Sequence, residues 1–147
     1  MRFDLSTIVS TIATVASLVN ASSQLASRQE AARFGSVSVT PCPLSGGEHV
    51  TITYNATTAA RAGDQPQFVD FYVQGTSTLD PPKLTNKFLL QRNSFGPDQV
   101  LLTLDTTIPE AINNPGIDGT DWNILAMITF DQDGLLIDGG VFSFCPQ

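Results

Sequence analysis

The chain has 147 residues, room for one domain with a substantial core but not for two. Charged residues make up 14% against 41% hydrophobic, and 14 acids against 7 bases leave a net charge of −7 with a pI near 4.3. With no basic patch to release counterions from a phosphate backbone, this balance argues against nucleic acid as a partner and suits an exported protein kept soluble by its own charge.

The opening MRFDLSTIVSTIATVASLVNASSQLAS stands apart from the folded body. Arg2 gives a positive start, Leu5 to Val19 a mildly apolar run, and Val19-Asn20-Ala21 a cleavage site, so residues 1–21 are expected to be a signal peptide. A bilayer span takes about 20 predominantly apolar residues, and this run is short and diluted by hydroxyls. No second run of that length follows, so no membrane span is expected in the mature chain. Residues 22–34 read as a polar arm or short pro-segment, and 35–147 as the domain.

Strand signals then follow in order. Gly35 to Thr40 alternates, with Val37 and Val39 on one side, and Pro41-Cys42-Pro43 ends it. After a Ser45-Gly46-Gly47 turn, Glu48 to Asn55 alternates with Val50, Ile52 and Tyr54 inward, and Thr57 to Gln67 is expected to be loop. Gln67 to Gly75 is a strand apolar on both faces apart from Asp70, and another is centred on Phe88-Leu89-Leu90. Val100, Leu102 and Leu104 share a face of the strand Gln99 to Thr106. A Pro-, Asn- and Gly-rich loop leads to the last pair, with Ile124, Ala126, Ile128 and Phe130 on one side and an Asp133-Gly134 hairpin turn. Gly139-Gly140 predicts a bulge. About seven short strands with almost no helical periodicity predict an all-β, immunoglobulin-like β-sandwich.

Two cysteines, Cys42 and Cys145, in an exported chain predict one disulfide. If the first and last strands ran antiparallel side by side, their ends would lie on the order of 20 Å apart. A disulfide needs Cα atoms within roughly 7 Å, which parallel pairing of those strands allows.

The segments VSVTPCP, HVTITYN, VDFYVQG, VLLTLDTTIPEAI and ILAMITFDQDGLL together resemble small secreted immunoglobulin-like domains of fungi. The layout is similar to the N-terminal domain of fungal cell-wall glucan-synthesis proteins, which implies a role at the cell wall. It is also similar to ML lipid-recognition domains, where a VxPCP segment opens the fold and an acidic turn and a cysteine strand close it. That second likeness implies an apolar cavity between the sheets.

Little in the chain points to catalysis. His49 is the sole histidine and no GxSxG elbow accompanies it. The carboxylate pairs Asp118 with Asp121 and Asp131 with Asp133 fall in expected turns, where Asp caps local backbone groups. Asp131, Asp133 and Asp138 lack the ligand spacing of an EF-hand loop, so no metal and no cofactor is expected. Asn55-Ala56-Thr57 is an N-glycosylation sequon; Asn20-Ala21-Ser22 is another, which the expected cleavage destroys. Phe68, Tyr72, Leu125, Met127, Phe142 and Phe144 fall on the outward side of neighbouring strands and would form one apolar partner patch. The expectation is a secreted, non-catalytic binding or structural module of the fungal cell surface or secretome, taking cell-wall polysaccharide, a protein or a lipid. The alternative is an ML-type lipid carrier.

Overall fold

The computed structural model describes residues 32–77, 84–114 and 120–143. The expected signal peptide, most of the arm, Phe144 and Cys145 lie outside them.

Seven strands account for most of the described chain: β1 (Ser36–Thr40), β2 (His49–Asn55), β3 (Pro66–Ser77), β4 (Leu84–Ser94), β5 (Leu101–Thr107), β6 (Thr120–Gln132) and β7 (Leu135–Phe142). They form two antiparallel sheets, the first in the order β1-β2-β5 and the second β4-β3-β6-β7. Alternation decides which face each sheet buries. Val50, Ile52 and Tyr54 of β2 and Leu104 of β5 point at Val69, Phe71 and Val73 of β3 and at Ile124, Ala126, Ile128 and Phe130 of β6. Those side chains form one core between the sheets, each large one stabilising the fold by roughly 1.5–3 kcal/mol relative to exposure.

The β6–β7 hairpin turns on Asp133 and Gly134, both with positive φ (55° and 83°). That pairing matches the right-handed twist of the strands it joins. Asp131 Oδ1 accepts the Gly134 N–H at 2.8 Å, which ties the turn to the end of β6.

Four expectations are corrected. The segment after β2 contains a short helix, α1 (Thr57–Ala62), which buries Ala59 against the core and ends at Gly63 in the left-handed region (φ 89°). Val100 does not join the inward face of β5; it lies before the strand, exposed, with its carbonyl accepting the Ala56 N–H at 2.8 Å. The Gly139-Gly140 pair carries no bulge, since the β6–β7 register runs unbroken from Leu125↔Phe142 to Gln132↔Leu135. Gly139 is small for another reason: the Phe34 ring lies on its bare backbone.

Finally, β1 and β7 are not ladder partners, because β1 pairs with β2 and β7 with β6. They do run in the same direction. Phe34 packs on Gly139 and Phe130, and its carbonyl accepts the Tyr54 hydroxyl, so the ends of β2 and β6 share one pole. Each of β1 and β7 leaves that pole antiparallel to its neighbour and heads for the opposite one, where Cys42 follows β1.

Candidate functional site

The outer face of the second sheet differs in kind from that of the first. On the first sheet the outward positions are short and hydroxylated, with rows Thr40–Thr51–Asp105 and Ser38–Thr53–Thr103 across β1, β2 and β5. Thr51 donates to Asp105 at 2.6 Å within this face. On the second sheet the registers align Leu89, Tyr72, Leu125 and Phe142 in one transverse row across β4, β3, β6 and β7. Beside it run Arg92, Asp70, Met127 and Gly140, and next Ser94, Phe68, Thr129 and Asp138.

Of the residues expected to form a partner patch, Phe68, Tyr72, Leu125, Met127 and Phe142 thus occupy this single face, and Phe144 lies outside the described residues. Their exposure is unequal. Phe68 is 39% exposed; Tyr72, Met127 and Phe142 are half-buried; Leu125 is 6% exposed at the centre of the row.

Sequence reasoning missed four contributors. Leu89, 54% exposed, extends the row to the sheet edge. A register shift opposite Phe71 and Tyr72 leaves Leu90 as the extra residue of β4, so Leu89 and Leu90 do not simply alternate with their neighbours. Lys87 lies over the Tyr72 ring, with Nζ 4.6 Å from its centroid, a cation–π contact. The remaining two are Asp70 and Arg92. Asp70 is only 6% exposed although it points to the outer face, and Arg92 covers it: Nε donates to both carboxylate oxygens at 2.9 and 3.0 Å, and an η-nitrogen donates to Oδ2 at 2.6 Å. These hydrogen bonds, then the Asp70 charge, hold the Arg92 guanidinium above its ordinary range. The lone acid in an otherwise apolar β3 was the available signal, because a buried carboxylate requires a partner.

The other sequence candidates are spread through the fold. His49 is exposed at the start of β2, its Nε2 3.4 Å from Thr107 Oγ1 on β5. Asp131 serves the hairpin turn, and Asp138 accepts from Thr129 Oγ1 at 2.8 Å. Asp118 lies outside the described residues. Among the described residues no three His, Cys, Asp or Glu side chains are grouped to hold a metal, and no described helix is long and apolar enough to cross a membrane. Asn55 is exposed on the outer face of the first sheet, between Ser36 and Leu101. A shallow cavity of about 350 Å³ opens at the Phe34 pole, lined by Gln65, Gln67, Phe95, Pro97 and Asp131 among others. Gln65 is already engaged there, donating to the Gly96 and Gln99 carbonyls at 3.0 and 3.1 Å.

Fold and geometry together define a two-sheet β protein with one partly apolar, ion-paired outer face. No protein-family model matches the chain, and comparison with curated proteins and with solved structures returns no match.

Proposed function

We propose that this chain is an exported, non-catalytic binding or structural module of the fungal cell surface or secretome, built as an immunoglobulin-like sandwich, and that it meets its partner through the outer face of the second sheet. The carrying observation is the transverse row Leu89–Tyr72–Leu125–Phe142, which runs the full width of that sheet. Contiguous apolar surface rimmed by polar groups is the usual mark of an interaction site. A disulfide between Cys42 and Cys145 belongs to the same proposal. It is supported by the common direction of β1 and β7 toward the Cys42 pole.

The lipid-carrier alternative calls for space between the sheets. Tyr54, Phe71 and Phe130 are fully buried in the described interior, so that alternative has the weaker support. Depletion of the secreted protein by insoluble β-glucan and by chitin tests the proposal. Wild type should sediment with one of them, and Leu89→Asp, at a position 54% exposed, should stay in solution with an unchanged melting temperature. Wild-type protein that remains in solution with both polymers refutes a polysaccharide partner. A lipid recovered by organic extraction would favour the carrier.

A further inference from the structure

We propose that Asn55 carries an N-linked glycan whose first N-acetylglucosamine lies over Leu101, making the outer face of the first sheet the shielded side of the molecule. The inference rests on the export proposed above and adds a modification site and its structural consequence.

Asn55 is the last residue of β2, and its side chain points outward with those of Ser36 on β1 and Leu101 on β5. All three are exposed. Asn55 Oδ1 accepts the Thr57 N–H at 2.9 Å, which turns the carboxamide so that Nδ2, the nitrogen that takes the sugar, sits on the side away from the backbone. Thr57, which supplies the hydroxyl of the sequon, is exposed at the start of α1. Ala56, just before the helix, and Ala59, within it, are both buried.

In the transfer, Nδ2 attacks the anomeric carbon of a lipid-linked oligosaccharide pyrophosphate. The N–C bond forms as the C–O bond to pyrophosphate breaks, the lipid pyrophosphate departs, and the nitrogen gives its proton to a base on the transferase. The covering role follows from Leu101. It is 55% exposed directly beside Asn55 in the ladder, with Ser36, Ser38, Thr53 and Thr103 nearby on the same face. A pyranose presents an apolar face of C–H groups and an equatorial rim of hydroxyls. Its apolar face matches Leu101, and its rim matches the neighbouring serine and threonine hydroxyls.

The test is secretion of the full chain from a eukaryotic host, once with its own N-terminal segment and once behind a foreign signal peptide. Glycopeptide mapping should assign one glycan to Asn55, and Asn55→Gln and Thr57→Ala should each abolish the mass shift on amidase treatment. After endoglycosidase trimming to the first sugar, nuclear Overhauser contacts should join that sugar to the Leu101 methyls. Export behind the foreign signal with Asn55 unmodified overturns the proposal. So does a glycan on Asn55 without contacts to Leu101. Glycosylation behind the foreign signal alone supports the site while refuting export by the chain's own leader.

Discussion

Adding one methyl group at Gly139 should destabilise the fold, and removing the Phe34 ring should abolish the effect. A β-carbon on Gly139 would lie 2.4 Å from Cε1 and Cζ of Phe34 and 2.6 Å from Cε2. Carbon contacts are favourable only near 3.5–4.0 Å, about 1 Å or more further out. The ring has little freedom to withdraw. Its centroid is 5.6 Å from that of Phe130, the Arg33 guanidinium stacks on its face at 5.2 Å, and its own carbonyl holds the Tyr54 hydroxyl at 2.5 Å. Arg33 is in turn fixed by Asp64 at 3.2 Å and Gln132 at 3.1 Å.

Overpacking of this kind costs about 1–3 kcal/mol, partly offset by the roughly 0.5–1 kcal/mol that Ala gains over Gly within a strand, so Gly139→Ala should lose about 1–2 kcal/mol. Phe34→Ala should lose about 2 kcal/mol, below the 3–5 of a fully buried ring because Phe34 is half-buried. With the ring gone the new methyl group has room, and Gly139→Ala should become neutral or stabilising by up to about 1 kcal/mol. The double-mutant cycle in urea should therefore show a coupling near 2 kcal/mol at constant m-value. Additivity within about 0.5 kcal/mol would refute the account of Gly139 as a seat for Phe34.

Burial raises the Tyr54 phenol above its ordinary value of 10.0. The neutral form is therefore the one the fold favours, and its contribution is complete below pH 10.0 and lost as the pH climbs beyond it. Denaturation midpoints of the wild type should fall steeply in that alkaline range. Tyr54→Phe should lose about 1 kcal/mol near neutrality with the hydrogen bond to the Phe34 carbonyl, yet show a shallower alkaline decline; parallel curves would count against this. Gly134→Ala places a side chain at φ 83° and should lose about 1–2 kcal/mol by chemical denaturation, with no effect expected at Gly96, whose backbone is ordinary. Arg92→Leu should lower the denaturation midpoint by stranding the buried Asp70, and Asp70→Val with Arg92→Leu should recover much of it; a double variant no better than the single would contradict this. Reducing the proposed Cys42–Cys145 bridge, which would close a loop of about a hundred residues, should lower stability by up to about 4–5 kcal/mol, and an unchanged midpoint under reductant would argue against the bridge.

Where one face of a strand is apolar and the other polar, the pattern alone located the strand and its inside. Val50, Ile52 and Tyr54 of β2, alternating with Thr51 and Thr53, show this, because a slip of one residue would expose every one of them. The pattern failed where other constraints took over. In β4 the extra residue Leu90 breaks the alternation at the apolar triplet, so Leu89 could not be assigned a side. Helix α1 is a single turn and a half with too few residues for a period, set instead by the Thr57 N–H donating to Asn55 Oδ1 just before it and by the burial of Ala59. Gly139 was read by its usual meaning within a strand, whereas its cause lies more than a hundred residues away in Phe34. For the candidate face, period-two alternation brought Phe68 and Tyr72 to one side of β3. Only the strand order β4-β3-β6-β7 sets them beside Leu89, Leu125 and Phe142.

That strand order also distributes charge. Lys87 and Arg92 stand on β4 at one edge of the outer face, while Asp138 and Asp121 stand on β7 and β6 toward the other. Well-packed apolar residues would serve stability at the Asp70–Arg92 position at least as well as an ion pair whose carboxylate must be desolvated beneath a largely exposed Arg92. What the pair supplies instead is a fixed, directional polar group among Phe68, Tyr72 and Met127. A partner crossing this face would gain contact area from the apolar row in either orientation, but would match the cationic and acidic rims in only one. Complementary charge of this sort acts on orientation and on the rejection of wrong partners more than on raw affinity. Binding through the second sheet should therefore lose selectivity before it loses strength when Arg92 and Asp70 are exchanged together for apolar residues.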